Sequence, residues 1–219
     1  MSFKSYLRKA ISIMKPFPLT RLLIIFSLAI LVNTTGHTQS AAKKIKPEDV
    51  CLSPTEKSLA TLINAYRREK KLPEIPVSRS LSYVAQVHVR DLMQYYRQNS
   101  RCNMHSWSDH GSWSSCCYTA DHRKASCMWN KPRELTSYTG DGYEIAFYSN
   151  YPYATPGDFA ADILKGWKKS PGHNEIIINR NKWKTSDWKA MGVGVYGDYA
   201  VVWFGEEADI AGEPPVCAE

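Results

Sequence analysis

The chain of 219 residues lacks an apolar run long enough to cross a lipid bilayer. Its most apolar stretch, residues 22–32, would rise only about 16 Å as a helix, roughly half the thickness of the hydrocarbon core. The first 40 residues contain five basic side chains and no acidic one. From residue 41 onward, 23 basic residues stand against 21 acidic ones. This near balance excludes a strong electrostatic surface for nucleic acid.

The start of the sequence has the three parts of a secretory signal peptide: a basic segment, an apolar run and then small polar residues. A cleavage site fits around Ser40 to Ala42, so we predict a signal peptide over residues 1–40. An uncleaved N-terminal anchor is the alternative, but the apolar run is shorter than a membrane span requires. We therefore expect a secreted or periplasmic protein with no stable membrane span after cleavage.

The six cysteines are even in number, which in an exported protein favours disulfides over free thiols. Cys51 and Cys217 lie near the two ends of the predicted mature chain. Because the termini of a domain are often close together, we predict that these two pair. The remaining four allow three pairings that the sequence does not separate: Cys102, Cys116, Cys117 and Cys127. Since Cys116 and Cys117 are adjacent, we expect each to bond to a different partner.

Two helices are predicted in the first part of the mature chain. Ser53-Pro-Thr-Glu56 is a capping box with proline at the first helical position, and apolar residues at helical spacing continue to about Lys70. A second helix begins near Ser80 and places His88 on its apolar face. A buried, hydrogen-bonded core histidine is the favoured interpretation of His88, with a ligand role as the alternative.

Helices and strands alternate in the second part of the chain. Helices are predicted to begin at Thr155 and at Ser170, each with proline as the next residue. Strands are predicted over residues 142–148, 191–196 and 199–204. The last two flank Gly197-Asp198, a good two-residue hairpin turn. This order predicts an α+β fold, a three-layer α-β-α sandwich with a central, mainly antiparallel sheet.

Residues 99–141 show no clean periodicity and contain four of the cysteines, so we predict an irregular insert held by disulfides. A zinc site at finger-like spacing is the alternative, with four ligands: Cys102, His105, His122 and Cys127. Export of the chain favours the disulfides.

The sequence has no glycine-rich phosphate loop, no Gly-x-Ser-x-Gly elbow and no His-Glu-x-x-His helix. The groups that remain for chemistry are dispersed along the chain: His105, His110, His122, Glu144 and His173. His173 falls in the first turn of a predicted helix, where the helix dipole keeps an imidazole neutral and able to bind a metal or accept a proton. The alternative is that Ser-Pro-Gly-His is only a well-formed helix start.

Six short motifs occur in an order that resembles the CAP superfamily, the cysteine-rich secretory, antigen 5 and pathogenesis-related proteins. The motifs are Leu59 to Tyr66, Ala85-Gln-Val-His88, Met104-His-Ser106, Gly142-Tyr-Glu-Ile-Ala146, Trp167-x-x-Ser-Pro-Gly-His173 and Gly192-Val-Gly-Val195. The Ser-Pro-Gly-His segment resembles the corresponding sequence in the bacterial branch of the superfamily. The resemblance implies a CAP (SCP-like) domain over residues 54–206, with a flexible lead-in at 41–53 and a tail at 207–219.

The resemblance also implies a cleft lined by two histidines and acidic residues, which in some members holds zinc or another divalent cation. His105 and His173 match the two histidines, and these are the predicted metal ligands. Glu144 is the candidate for the first acidic residue, although a gap-free match places Tyr143 there. Ser170 stands at the position of the second glutamate.

Two functions are compatible with this sequence. The first is an extracellular module that binds a lipid, glycan or protein in its cleft, which the abundant aromatic residues would suit. The second is a metal-dependent hydrolase, peptidase-like or esterase-like, with His105, Glu144 and His173 as its catalytic residues. We favour the binding module, since a fold does not by itself fix a function.

Overall fold

The computed structural model describes residues 46–97 and 101–218. The predicted signal peptide and residues 41–45 lie outside the described residues. Within the described ranges, no helix has both the length and the apolar character that a membrane crossing requires.

The predicted helices and strands occur in the expected order. The long helices are α1 (Pro54–Glu69), α2 (Arg79–Tyr95) and α5 (Pro156–Lys169), and the shorter ones are α3 (Ser126–Trp129), α4 (Lys131–Leu135) and α6 (Pro171–Ile177). The strands are β1 (Tyr143–Tyr148), β2 (Ala190–Tyr196) and β3 (Tyr199–Gly205). Short 3-10 turns occupy Pro47–Asp49 and Asn181–Trp183.

The three strands form one antiparallel sheet in the order β1-β3-β2, so the last strand in the chain is the central one. Side chains alternate between the two faces of β3. Val202 and Phe204 pack with α1, α5 and α6 on one face. Val201 and Trp203 pack with α2 and the insert on the other. The result is the predicted α+β, three-layer α-β-α sandwich.

Helix α2 lies unusually close to strand β2. A methyl group added at Gly192 would lie 2.0 Å from the carbonyl carbon of Leu81, and one added at Gly194 would lie 2.3 Å from that of Ala85. Both obstacles are helix backbone, which cannot move aside as a side chain can. These two glycines therefore set the distance at which α2 packs on the sheet.

A disulfide and a β-bridge join the two ends of the described domain. Cys51 is bonded to Cys217, as predicted, and Leu52 forms a parallel bridge with Val216. Leu52 is 2% exposed, so the prediction of a flexible lead-in is wrong for this part of residues 41–53. The sequence there is polar enough to suggest a linker, but the disulfide and the buried Leu52 hold it against the domain.

The insert contains more regular structure than its sequence suggests, because α3 and α4 both lie within it. Its disulfides join Cys102 to Cys117 and Cys116 to Cys127, so the adjacent cysteines do bond to different partners. No free thiol occurs among the described residues. A finger-like zinc site is thereby excluded, since its two cysteine ligands are in disulfides.

Candidate functional site

A cleft of about 450 Å³ opens beside β1, between the start of α6 and the insert. The three residues of the predicted site, His105, Glu144 and His173, all line it. They come from three separate parts of the chain: a loop of the insert, strand β1 and the first turn of α6. The fold therefore brings these three residues together in one cleft.

Glu144 is held between two histidines. Its Oε2 lies 2.5 Å from Nδ1 of His88 and its Oε1 lies 2.8 Å from Nδ1 of His105. The side chain is fully buried. Burial alone would raise the pKa of Glu144, but the charge of His88 and the hydrogen bonds from both histidines lower it overall. The carboxylate is consequently ionised and both of its oxygens accept hydrogen bonds.

His88 is a buried, hydrogen-bonded core histidine, as its position on the apolar face of α2 predicted. Its ring stacks on Trp107 with centroids 4.2 Å apart. Its Nε2 lies 3.0 Å from the carbonyl oxygen of Ser106, which can only accept a hydrogen bond. Because Nδ1 donates to Glu144, both ring nitrogens carry hydrogen. Burial lowers the pKa of His88, but the Glu144 carboxylate raises it overall, so the buried pair is an imidazolium and a carboxylate.

The register of β1 explains why Glu144, and not Tyr143, reaches His88. Glu144 is opposite Trp203, whose side chain lies on the α2 side of the sheet. Tyr143 is opposite Phe204 and packs with the core on the other side. Tyr143 still lines the cleft, because β1 is an edge strand and the cleft runs along that edge.

His105 is oriented by its bond to Glu144. With Nδ1 donating to the carboxylate, the lone pair of a neutral ring lies on Nε2. A carboxylate bound to the inner nitrogen of an imidazole is also the arrangement that orients many metal-ligating histidines.

His173 is neutral over most of the pH range, as expected, although the expectation rested on the helix dipole and the lowered pKa has other causes. Burial is the main cause and the charge of His105 the second, and together they lower the pKa of His173 to about 4. Ser170, the predicted cap of this helix, forms no capping hydrogen bond through its side chain.

Of the two remaining candidate histidines, His122 lies in the cleft and His110 lies outside it. His122 lines the cleft, with Nδ1 hydrogen-bonded to the Tyr118 hydroxyl at 2.8 Å. His110 is stacked on Tyr95 at 4.1 Å and does not line it. The sequence pattern also did not identify three cleft residues, Trp129, Lys182 and Trp183. They lie on short elements with no periodicity, and only the abundance of aromatic residues hinted at such walls.

The donor set is small for a metal. Across the part of the chain that the structure describes, no group of three or more His, Cys, Asp or Glu side chains could hold a metal ion. His105 and His173 offer two imidazoles, whereas catalytic zinc sites have three protein ligands. Glu144 gives both oxygens to histidines, and Ser170 supplies no carboxylate. These residues do not fit such a zinc site, and the metal role of the two histidines stays a prediction.

Fold and site together define an α-β-α sandwich protein with a histidine-lined cleft. The sequence model of the cysteine-rich secretory protein family, CAP, matches residues 60–203, more than half of the 219 residues. The chain belongs to this family. Assignment to its bacterial branch stays a prediction. Comparison with curated proteins gives no match.

Solved structures show similar proteins at low identity. A cysteine-rich secretory protein from Staphylococcus aureus is 16% identical with a TM-score of 0.44, and the match covers 70% of this chain and 38% of that one. An SCP-domain extracellular protein from Bacillus anthracis is 18% identical with a TM-score of 0.47, over 70% and 40%. An outer surface protein from Borrelia burgdorferi is 16% identical with a TM-score of 0.46, over 70% and 92%. The match thus spans about two fifths of the first two proteins.

Proposed function

We propose that the protein is an extracytoplasmic binding module whose ligand occupies the cleft beside His105, Glu144 and His173. The observation that carries this proposal is the double engagement of Glu144. Among the described residues that line the cleft it is the only carboxylate, and both of its oxygens accept hydrogen bonds from histidines. The carboxylate of the cleft is therefore already bound to two histidines, which supports a binding role over one as the base that activates water.

The shape and lining of the cleft support a small-molecule or chain-end ligand. Its volume of about 450 Å³ lies within the range of ordinary ligand pockets. Aromatic side chains form much of the lining, together with a few polar groups. Apolar walls with a few placed polar groups are typical of ligand-binding pockets.

A location outside the cytoplasm is supported by the cysteines. Three disulfides connect all six of them, and disulfides persist in oxidising compartments. The predicted signal peptide points the same way. Secretion into the medium and retention in a periplasm are both compatible with these observations.

The alternative function is the metal-dependent hydrolase, and the Glu144–His105 hydrogen bond is the observation that favours it. That bond leaves Nε2 of His105 free to bind a cation or take a proton. A general base, however, works best with a pKa near the working pH, whereas the pKa of Glu144 is lowered. The binding function is better supported for this reason.

The proposal is tested on mature protein, residues 41–219, produced by an export route so that disulfides form. Calorimetric titration with chitotetraose, trigalacturonic acid and palmitate should show binding of at least one of these probes. Trp183→Ala, in the cleft wall, should abolish it. Trp113→Ala is the matched control, since Trp113 hydrogen-bonds within the insert and does not line the cleft.

Metal content and turnover separate the two functions. Zinc should be absent or substoichiometric in the wild type and unchanged in His110→Ala, the control histidine outside the cleft. One equivalent of zinc that disappears in His105→Ala/His173→Ala, together with hydrolysis lost in His105→Ala, would establish the hydrolase instead.

A further inference from the structure

The charge that the cleft presents to a ligand is positive. Glu144 is neutralised by His88 in a buried pair, so its charge is not available to a ligand. Lys182 lines the cleft, and its ammonium lies 4.9 Å above the ring of Trp183. Among the described residues that line the cleft, Lys182 has no ion-pair partner and Glu144 is the only carboxylate, so a ligand meets an unpaired positive charge.

Three acidic side chains near the cleft have other partners. Asp141 is bound to Arg133 at 2.5 Å, Glu175 accepts a hydrogen bond from Asn181 at 2.5 Å, and Glu206 accepts one from the backbone amide of Asp187 at 3.2 Å. None of these carboxylates lines the cleft. The ammonium of Lys182 can therefore attract an anionic group of a ligand bound in the cleft.

The aromatic wall is a connected set rather than scattered rings. Trp129 lies edge-on to Tyr143 with centroids 5.6 Å apart, and Tyr143 lies edge-on to Trp183 at 5.0 Å. Tyr143 is fixed in strand β1 and also contacts Trp188 at 5.8 Å. These contacts hold the rings in place, so a ring-shaped ligand can pack against them at little cost in side-chain entropy.

The polar groups of the cleft exclude a plain hydrocarbon chain as the best ligand. His105, His173 and the Tyr118–His122 pair all line it. An acyl chain would cover these groups without giving them hydrogen-bond partners, which is costly. A ligand with many hydroxyl groups would supply those partners.

We propose that the cleft recognises an acidic sugar, whose ring packs on the wall of Trp129, Tyr143 and Trp183 and whose carboxylate pairs with Lys182. This inference rests on the proposed binding function and names its ligand class. Lys182 determines the preference for the acid, while the aromatic wall holds the ring whether or not the carboxylate is charged.

The experiment compares trigalacturonic acid with its fully methyl-esterified form by calorimetry on the mature protein. The two probes share the same rings and differ in charge. The acid should bind at least tenfold more tightly than the ester. Lys182→Gln should remove that preference, so that the acid binds no more tightly than the ester. Trp183→Ala should weaken both probes.

Lys184→Gln is the matched control, because Lys184 is an exposed neighbour that does not line the cleft. It should keep the tenfold preference. Thermal unfolding of all variants verifies that they remain folded. Equal binding of the acid and the ester, or no binding of either, would overturn the acidic-sugar inference. Binding of palmitate or chitotetraose in a Trp183-dependent manner would still support the proposed function.

Discussion

His88 and Glu144 form an ion pair in the interior of the protein, with Nδ1 and Oε2 2.5 Å apart and neither side chain exposed. The pair joins α2 to β1, and through the second oxygen of Glu144 it also fixes His105. Removing one member of such a pair leaves a charge buried without a partner, which costs more than the intact pair contributes.

We therefore expect His88→Leu to lower the free energy of unfolding by about 3–5 kcal/mol. Urea denaturation at pH 7 measures the loss. The double variant His88→Leu/Glu144→Leu should lose less than the sum of the single variants, because no unpaired charge remains. His110→Ala, outside this network, should change stability by less than about 0.5 kcal/mol. Additive losses in the double variant would show that the two residues are not coupled.

The same pair should give a stability plateau between pH 4.5 and 6.5, the ordinary pKa values of the two groups. The pKa of Glu144 is lowered, so its contribution is present above pH 4.5 and is lost as the pH falls through the folded-state pKa. The pKa of His88 is raised, so its contribution is present below pH 6.5 and is lost as the pH rises through the folded-state pKa. The difference in unfolding free energy between wild type and His88→Leu/Glu144→Leu should be flat in this window and smaller on both sides. A difference that is independent of pH from 3 to 9 would contradict the assigned charges.

His173 should lower the stability of the protein in acid, in contrast to His88. Its pKa in the folded protein is about 4, against an ordinary 6.5, so the unfolded chain takes up a proton first as the pH falls. Between pH 6.5 and 4 the wild type should lose roughly 2 kcal/mol that His173→Asn does not lose, allowing for partial solvent screening. Urea midpoints at half-unit pH steps measure the effect. Parallel curves for the two proteins would show that the imidazole titrates normally.

The disulfide pattern is directly testable by peptide mapping without reduction. Linked peptides should join Cys51 to Cys217, Cys102 to Cys117 and Cys116 to Cys127. Cys51→Ala/Cys217→Ala should destabilise by about 4–5 kcal/mol, because that bond closes a loop of 166 residues. The Cys102–Cys117 bond closes only 15 residues, so its removal should cost less, about 3 kcal/mol.

Gly192→Ala should destabilise strongly, by about 3 kcal/mol or more, because the new methyl group meets helix backbone at 2.0 Å. Gly172→Ala is the control. A methyl group there meets nothing within 4 Å and the residue lies in the first turn of α6, so stability should be unchanged or rise by up to about 1 kcal/mol. Thermal unfolding distinguishes the two. A mild effect at Gly192 would mean that α2 can move away from β2.

Local signals in the sequence predicted most of the helices and strands correctly. Ser53 and Thr155 both begin helices through complete capping boxes, and Gly197 has the positive φ of 54° that a tight hairpin turn favours. These features depend only on neighbouring residues. The Cys51–Cys217 bond was also predicted, from the tendency of domain ends to meet.

The contacts that define the site could be predicted only in part. The bond between His88 and Glu144 spans 56 residues and depends on the rotation of α2 against the sheet, which no local pattern encodes. Lys182 and Trp183 come from a 3-10 turn of three residues, too short for any periodicity. The polar composition near Leu52 predicted a linker. Leu52 is instead paired with Val216, which is distant in sequence, and the residues next to Leu52 give no sign of that partner.

The bond between Cys51 and Cys217 turns the chain between them into a covalent ring. A protease that cuts one exposed loop of this ring linearises it without separating two fragments. A nicked molecule would therefore keep its size on a gel without reductant and divide into two pieces only after reduction. Because both halves of the sandwich remain tethered, the cut ends can also re-form their contacts. A single cleavage in an exposed loop would then leave the cleft assembled.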